Sequence, residues 1–210
     1  LPVGISFFTF QSLAYLIEMN RESFETPAGF WDVLCYVTFF PQISAGPIIR
    51  PALFFEQLHE PAPQTIDSGR AFYLIASGLF KKVILAHYLS QNLVVPVFEA
   101  PELYSSLDVL LAVYGFTAQI YVDFSGYSDL AIGIALLFGF RYPDNFNQPY
   151  RALSVQDFWR RWHISLSGWL LDYIFTPLQL KFRKLRTVGT ITALLLTFFI
   201  SGLWHGASWN

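Results

Sequence analysis

Two histidines stand where an ionisable ring is least expected in this sequence. His205 follows an uncharged run of residues 187–204, and His163 lies in a stretch, 159–167, that contains Trp159 and Trp162. A histidine reached through as much apolar sequence as His205 lies at or within a membrane boundary, where an ionisable side chain is costly and by default a functional hypothesis. The two rings are therefore the first candidates for chemistry.

Acyl transfer is one reaction that these rings can support, and the alternative is a pair of histidines hydrogen-bonded within a polar seam. A neutral imidazole can remove a proton from a hydroxyl as that hydroxyl attacks an acyl carbon, and a desolvated site keeps the ring neutral at physiological pH. His205 fits the general base, because Gly202 and Gly206 beside it allow substrate or another backbone to approach closely. His163 has three roles open to it: orienting His205, binding the acyl carbonyl, or a structural role.

The sequence lacks the residues that are typical of other catalytic classes. No nucleophile-elbow serine, phosphate-binding loop or zinc-protease motif is present, and two histidines 42 positions apart have no convincing ligand set around them. The sequence predicts no metal site, identifies no cofactor-binding residues and implies no tightly bound cofactor. The single cysteine, Cys35, excludes an internal disulfide and a cysteine-based metal cluster.

The composition is that of a membrane protein. Hydrophobic residues make up 54% of the 210 and charged residues only 13%, against roughly 25% charged in soluble domains. The formal net charge of −2 gives no reason to expect nucleic acid as a partner. The lipid bilayer is the partner that this composition predicts.

Several apolar runs are short or interrupted. Residues 1–17 approach the lower length limit for a span, and residues 107–122 and 130–140 are separated by a polar segment. We interpret that segment, 123–129, as a loop at the membrane face or a polar break inside the bundle. Prolines interrupt residues 33–49, so residues 41–47 form either a cavity wall or an interfacial loop. The pattern predicts an all-α, multi-span transmembrane bundle with re-entrant or broken helices.

Other segments predict surface and interfacial elements. Residues 54–68 read as a surface loop whose Asp67 or Ser68 caps the next helix. That helix carries Lys81 and Lys82 between apolar residues, which suits an interfacial amphipathic helix with snorkelling lysines. Ser154 is predicted to open a further amphipathic helix that carries His163.

The positive charges orient the last helix. Lys181, Arg183, Lys184 and Arg186 lie within six residues, and the positive-inside rule assigns them to the cytoplasmic side. The following helix, residues 187–204, then runs outward for about 27 Å and carries His205 toward the opposite leaflet.

The two histidine segments also resemble known motifs. Trp162-His163-Ile164-Ser165-Leu166-Ser167 and Gly202-Leu203-Trp204-His205-Gly206 resemble the membrane-bound O-acyltransferase family, and the chain is most similar to its alginate O-acetyltransferase branch. The resemblance covers essentially all 210 residues. The further matching segments are 1–7, 45–48 with Arg50, 80–83, 123–129, 145–146 and 149–150.

The resemblance implies a helical enzyme whose cavity reaches the active site from both membrane faces. An acyl group, activated as a cytoplasmic thioester on coenzyme A or an acyl carrier protein, would pass to a hydroxyl. For this branch it implies acetyl transfer to an exported, alginate-like polysaccharide, extracytoplasmic acetyltransferase partners and a multi-pass position in the bacterial inner membrane. His205 matches the family's essential histidine and His163 its second one.

Two alternatives stay open beside this reading. One is a D-alanyl transferase for teichoic acid that uses a carrier protein, with Asp123 or Asp129 supplying a carboxylate for the amino group. The other is a transporter that moves an acyl group or lipid without chemistry, which the proline-broken helix at 41–47 would fit. Because residue 1 is not Met and the chain ends just after His205, we interpret residues 1–210 as an internal fragment, truncated at both ends, of one membrane domain.

Overall fold

Helices dominate a computed structural model that describes residues 4–22, 28–43, 45–60 and 65–206. Within these ranges no residue is in a strand, so the all-α prediction is confirmed. Leu1–Val3 of the first apolar run and Ser44 of the proline-rich segment lie outside the described residues. The helices in chain order are α1 (Ile5–Asn20), α2 (Phe30–Thr38), α3 (Pro51–His59), α4 (Ser68–Glu99), α5 (Ser106–Leu137), α6 (Val155–Trp159), α7 (Ile164–Leu170), α8 (Thr176–Lys181) and α9 (Arg186–His205).

Three of the described helices are long and apolar enough to cross a membrane. They are α4, α5 and the segment Arg183–His205, which joins a short 3₁₀ turn to α9. Large apolar side chains are exposed along all three, as lipid-facing surfaces require; Tyr73, Tyr114 and Leu195 are examples. The predicted helix 187–204 is confirmed, with α9 starting one residue earlier and ending one residue later.

The described residues group into two compact units. Unit 1 comprises those within Leu1–Phe39, Ile48–Leu58 and Asn145–Asn210, and unit 2 those within Phe40–Pro47 and His59–Asp144. Both histidine motifs belong to unit 1. Unit 2 is built on the pairing of α4 with α5.

The pairing of α4 with α5 depends on glycines. A Cβ on Gly78 would lie 2.5 Å from the carbonyl oxygen of Gly126, and a Cβ on Gly133 would lie 2.8 Å from that of Ala71. The two backbones therefore approach more closely than larger side chains would permit, as in helix packing within membranes.

The polar segment 123–129 lies inside α5, so the prediction of a loop or break there is wrong. The helix runs without interruption from Ser106 to Leu137. Its carboxylates are paired instead: Lys81 contacts Asp129 at 2.7 Å and Lys82 contacts Asp123 at 2.6 Å. A helix satisfies its own backbone groups, and the α4 lysines offset the two charges, so the chain has no need to leave the helix here.

The same contacts correct the prediction for α4. Lys81 and Lys82 make ion pairs with α5 and do not snorkel toward an interface. The helix α4, which contains π-helical turns at Phe80–Ala86 and Ser90–Val94, is also long and apolar enough to cross a membrane.

The predicted surface loop at 54–68 is partly wrong, because α3 extends to His59; residues 61–64 of the predicted loop lie outside the described residues. Pro51 occupies the first position of this helix, where its missing N–H is not needed. The predicted cap is confirmed: the Asp67 carboxylate accepts a hydrogen bond from the Arg70 N–H at 2.9 Å. In the proline-broken segment, Pro41, Gln42, Gly46 and Pro47 are buried in the protein, which favours a packed wall over an interfacial loop.

Candidate active site

His163 does not lie on a continuous helix, contrary to the sequence prediction. It occupies the turn between α6 and α7 with φ 42° and ψ 56°, a left-handed conformation that costs a residue other than glycine roughly 1–2 kcal/mol. Trp159 and Ser167, which one continuous helix would bring to the same face as His163, therefore belong to two different helices. Ser154 does open α6 as predicted, accepting from the Asp157 N–H at 3.0 Å.

The connector before α6 explains why the helix stops. Asn147 donates its backbone N–H to the Arg161 carbonyl at 2.9 Å, and Ile164 donates its own to the Asn145 carbonyl at 2.9 Å. These bonds replace helical ones on either side of His163. The left-handed turn is thus held by Asn145 and Asn147, which precede His163 by 18 and 16 positions.

The ring of His163 is buried, with 3% of the residue exposed. Phe146 stacks on it with the ring centroids 6.5 Å apart and the planes 21° from parallel. Burial disfavours the charged imidazolium, and a smaller repulsion from His205 acts in the same direction, so the pKa of His163 falls to about 3. The ring is neutral at physiological pH.

Asn145 is a polar neighbour of this ring. Its Oδ1 lies 3.2 Å from Nδ1 of His163, 3.1 Å from the backbone nitrogen of Ser165 and 2.9 Å from the Ser165 hydroxyl oxygen. The hydroxyl oxygen in turn accepts the N–H of Ile48 at 3.0 Å. Asn145, Ser165 and Ile48, which come from three of the motif segments identified in the sequence, are thus linked by one chain of hydrogen bonds. No local pattern singled out Asn145 as a partner of His163.

His205 is the last residue of α9 and is exposed. Its ring contacts that of the preceding Trp204, with the centroids 4.3 Å apart. A Cβ built on Gly202 or Gly206 meets no described atom within 4 Å. The described residues leave open the space beside His205 that the sequence assigns to an approaching substrate or backbone.

The fold brings both histidines into unit 1, where His205 is near enough to contribute to the electrostatics of His163. A cleft of about 330 Å³ lies next to Trp204 in the same unit, between α1, the α7–α8 segment and α9. Phe10 forms part of its wall, with its ring 4.5 Å from Trp169 and 4.9 Å from Trp204. The cleft is lined mainly by apolar side chains, a lining that favours binding of a hydrocarbon group.

A second polar cluster in unit 1 was not predicted. The Tyr173 hydroxyl donates to the Glu18 carboxylate, and Arg50 forms an ion pair with Asp172. Burial and the bond to Glu18 both raise the pKa of Tyr173, whose ring lies 5.6 Å from the Arg50 guanidinium carbon. Because Glu18 and Tyr173 are 155 residues apart, no local pattern could have joined them.

The two carboxylates considered for the D-alanyl alternative are engaged in ion pairs. Asp123 pairs with Lys82 and Asp129 with Lys81, both lysines of α4 in unit 2. Among the described residues, no three His, Cys, Asp or Glu side chains are grouped as a metal would need.

Comparison with known proteins agrees with the motifs. The sequence model of the membrane-bound O-acyltransferase family matches residues 6–210. The chain is 40% identical over 210 residues to a probable alginate O-acetylase of Pseudomonas aeruginosa, covering 100% of the chain and 40% of that protein. It is 35% identical over 241 residues to a peptidoglycan O-acetyltransferase of Helicobacter pylori, covering 100% of the chain and 44% of the relative.

A third relative transfers a different group. The chain is 30% identical over 218 residues to a teichoic acid D-alanyltransferase of Bacillus subtilis, covering 97% of the chain and 53% of that protein. The chain thus spans about half the length of these relatives or less. The family match over nearly the whole chain, together with the apolar helices, makes this a membrane protein. The chain belongs to the membrane-bound O-acyltransferase family.

Proposed function

We propose that the full-length protein is an O-acyltransferase that moves an acetyl group from a thioester to a hydroxyl of an exported cell-surface polysaccharide. The observation that carries the proposal is the presence of His205 and the buried, neutral His163 in one unit, which also holds an apolar cleft lined in part by Trp204. The 40% identity to an alginate O-acetylase supports acetyl as the group and a polysaccharide as the acceptor.

His205 acts as the general base. Its unprotonated ring nitrogen takes the proton of the acceptor hydroxyl while that oxygen attacks the thioester carbonyl. The tetrahedral intermediate then collapses: the C–S bond breaks, the ester forms, and the departing sulfur leaves as a thiol with the proton that His205 accepted. His163 contributes a neutral ring, since its burial keeps the imidazolium from forming.

The donor is acetyl-coenzyme A or an acylated carrier protein, supplied from the cytoplasmic side. In this proposal the protein is a multi-pass enzyme of the bacterial inner membrane, and extracytoplasmic acetyltransferases complete delivery to the polymer. The likeness to the family and the cluster of cations at 181–186 support this arrangement.

The biochemical test uses cell-envelope membranes that contain the full-length protein and the extracytoplasmic acetyltransferases, an acetyl thioester labelled in the acetyl group and a hydroxyl-bearing oligosaccharide. Wild type should form labelled ester, and His205→Ala at equal abundance should form none above the background of empty membranes. Equal labelling by the two proteins would contradict the role of His205. If D-alanyl thioester alone serves as donor, the acyl group assigned here is wrong and the D-alanyl transfer of the Bacillus subtilis relative is the better parallel.

A further inference from the structure

The orientation of the Asn145 amide follows from its partners. The backbone nitrogen of Ser165 lies 3.1 Å from the atom assigned as Oδ1, and a backbone N–H can only donate. The atom at that position must therefore be the oxygen, because the amide NH₂ in the same place would oppose one donor with another. Asn145 is 1% exposed, so bulk water has almost no access to these contacts.

The hydroxyl of Ser165 reinforces this assignment. Its oxygen accepts the N–H of Ile48 at 3.0 Å, and its hydrogen is directed at the Asn145 oxygen 2.9 Å away. The distance from the same hydroxyl oxygen to Nδ1 of His163 is longer, 3.5 Å. The hydroxyl hydrogen thus goes to Asn145 and does not protonate or donate to the histidine.

The tautomer of His163 follows in turn. Nδ1 lies 3.2 Å from an amide oxygen that has no hydrogen to give. Nδ1 must supply the hydrogen, which makes it the protonated nitrogen of the neutral ring and leaves the lone pair on Nε2. The lowered pKa of His163, caused mainly by burial, agrees with a ring that carries one proton.

We propose that Asn145 is a positioning residue that holds His163 in the Nδ1–H tautomer, so that Nε2 acts as a hydrogen-bond acceptor in the acyl-transfer site. The role in that site rests on the function proposed above. This assignment decides among the roles open to His163: a neutral ring with a bare Nε2 cannot donate from that nitrogen to an acyl carbonyl. It can accept from a hydroxyl or from an N–H, and so can orient a donor.

The direct test is nitrogen NMR of the full-length protein, labelled with ¹⁵N-histidine and placed in lipid bilayers. The signals of His163 are assigned as those missing from His163→Gln. Wild type should show a protonated Nδ1 and a bare Nε2. Asn145→Asp keeps an acceptor oxygen and should keep Nδ1 protonated, whereas Asn145→Ala should give a population with the hydrogen on Nε2.

Two results would overturn the proposal: a wild-type ring protonated at Nε2, or an Asn145→Ala ring with the wild-type tautomer. If Asn145→Ala does not accumulate, the wild-type spectrum alone still shows which nitrogen of His163 is protonated and so tests the proposal. Tyr36→Phe is the matched control, since it removes another buried hydrogen bond of unit 1, from the Tyr36 hydroxyl to the Ile49 carbonyl at 2.6 Å. It should leave the His163 spectrum unchanged.

Activity gives the second readout and separates the two proposals. Asn145→Ala should lower acetyl transfer by roughly 100-fold or more, because a catalytic histidine in the wrong tautomer loses most of its effect, and Asn145→Asp should retain more activity than Asn145→Ala. Equal losses in both variants would contradict a tautomer-setting role. A wild-type protein with the Nδ1–H ring but no acyl transfer would remove the proposed function and leave the tautomer assignment standing.

Discussion

Nζ of Lys81 on α4 lies 2.7 Å from Oδ2 of Asp129 on α5, and both helices are long enough to cross a membrane. The hydroxyl of Ser77 donates to the same carboxylate oxygen at 3.3 Å. With the Lys82–Asp123 pair alongside, two ion pairs join these helices. Charged side chains on membrane-spanning helices are tolerated when each is paired with an opposite charge, as these four are.

Removing one member of this pair should destabilise the protein more than removing both. Lys81→Met leaves the Asp129 carboxylate without its cation and should lower the free energy of unfolding by roughly 2 kcal/mol. The double variant Lys81→Met, Asp129→Leu should recover part of that loss, because no lone charge is left. Thermal unfolding of the detergent-solubilised full-length protein measures both effects.

The control for this pair is Lys184→Met, which removes an exposed lysine from the turn before α9. It should leave the unfolding temperature unchanged. A double variant less stable than Lys81→Met alone would show that the ion pair is not the source of the effect.

Close helix packing makes a second stability prediction. Gly78→Ala would place a Cβ 2.5 Å from the Gly126 carbonyl oxygen, so α4 and α5 must separate and the unfolding temperature should fall. Gly69→Ala on the same helix is the matched control, since its Cβ meets no described atom closer than 3.7 Å. Equal unfolding temperatures for the two variants would contradict the packing described for α4 and α5.

The sequence predicted α9 well because its signals are local. An uncharged run lies between a group of cations and Gly206, and those features define a helix of membrane length without knowledge of the fold. The cap at Asp67 was likewise predictable, because the residue and the N–H that it binds are three positions apart.

The errors came from contacts between distant residues. The segment 123–129 looked like a break because the lysines that pair with its carboxylates lie 41 and 48 residues earlier. His163 looked helical because the bonds that stop α6 come from Asn145 and Asn147. Both histidines could be identified as candidate site residues from the sequence alone. The tautomer proposed for His163 could be inferred only once the position of Asn145 was known.

The burial of His163 predicts how stability depends on pH. Its pKa is about 3 in the folded protein and near 6.5 when exposed, so between these values the unfolded chain binds the extra proton. Stability from this residue is therefore complete above pH 6.5 and is lost as the pH falls toward 3, at up to about 1.4 kcal/mol per pH unit.

The variant His163→Gln lacks this titration and should lose less stability than wild type between pH 6.5 and 4.5. Unfolding temperatures of the two proteins, measured across that range in the same detergent, give the comparison. Because the carboxylates titrate alike in both proteins, the difference isolates His163. Parallel curves would mean that the ring is not desolvated in the folded protein.

The charge cluster predicts the topology. Cysteine at Arg183 or Lys184, introduced in the full-length protein with Cys35 and any other cysteine replaced by alanine, should resist an impermeant maleimide in intact cells and react after permeabilisation. The reason is the excess of cations at 181–186, which favours the cytoplasmic side. Labelling of either cysteine from outside intact cells would contradict this orientation of α9.

The central claim is that His205 is the base for acyl transfer to a surface polysaccharide, and its most direct test is the acetyl ester content of that polysaccharide in living cells. Cells carrying full-length wild type are compared with cells carrying His205→Ala at matched membrane abundance. The account predicts that acetyl ester is lost in the variant while the protein remains inserted, because only the base is removed. Unchanged acetyl ester in the variant would contradict it.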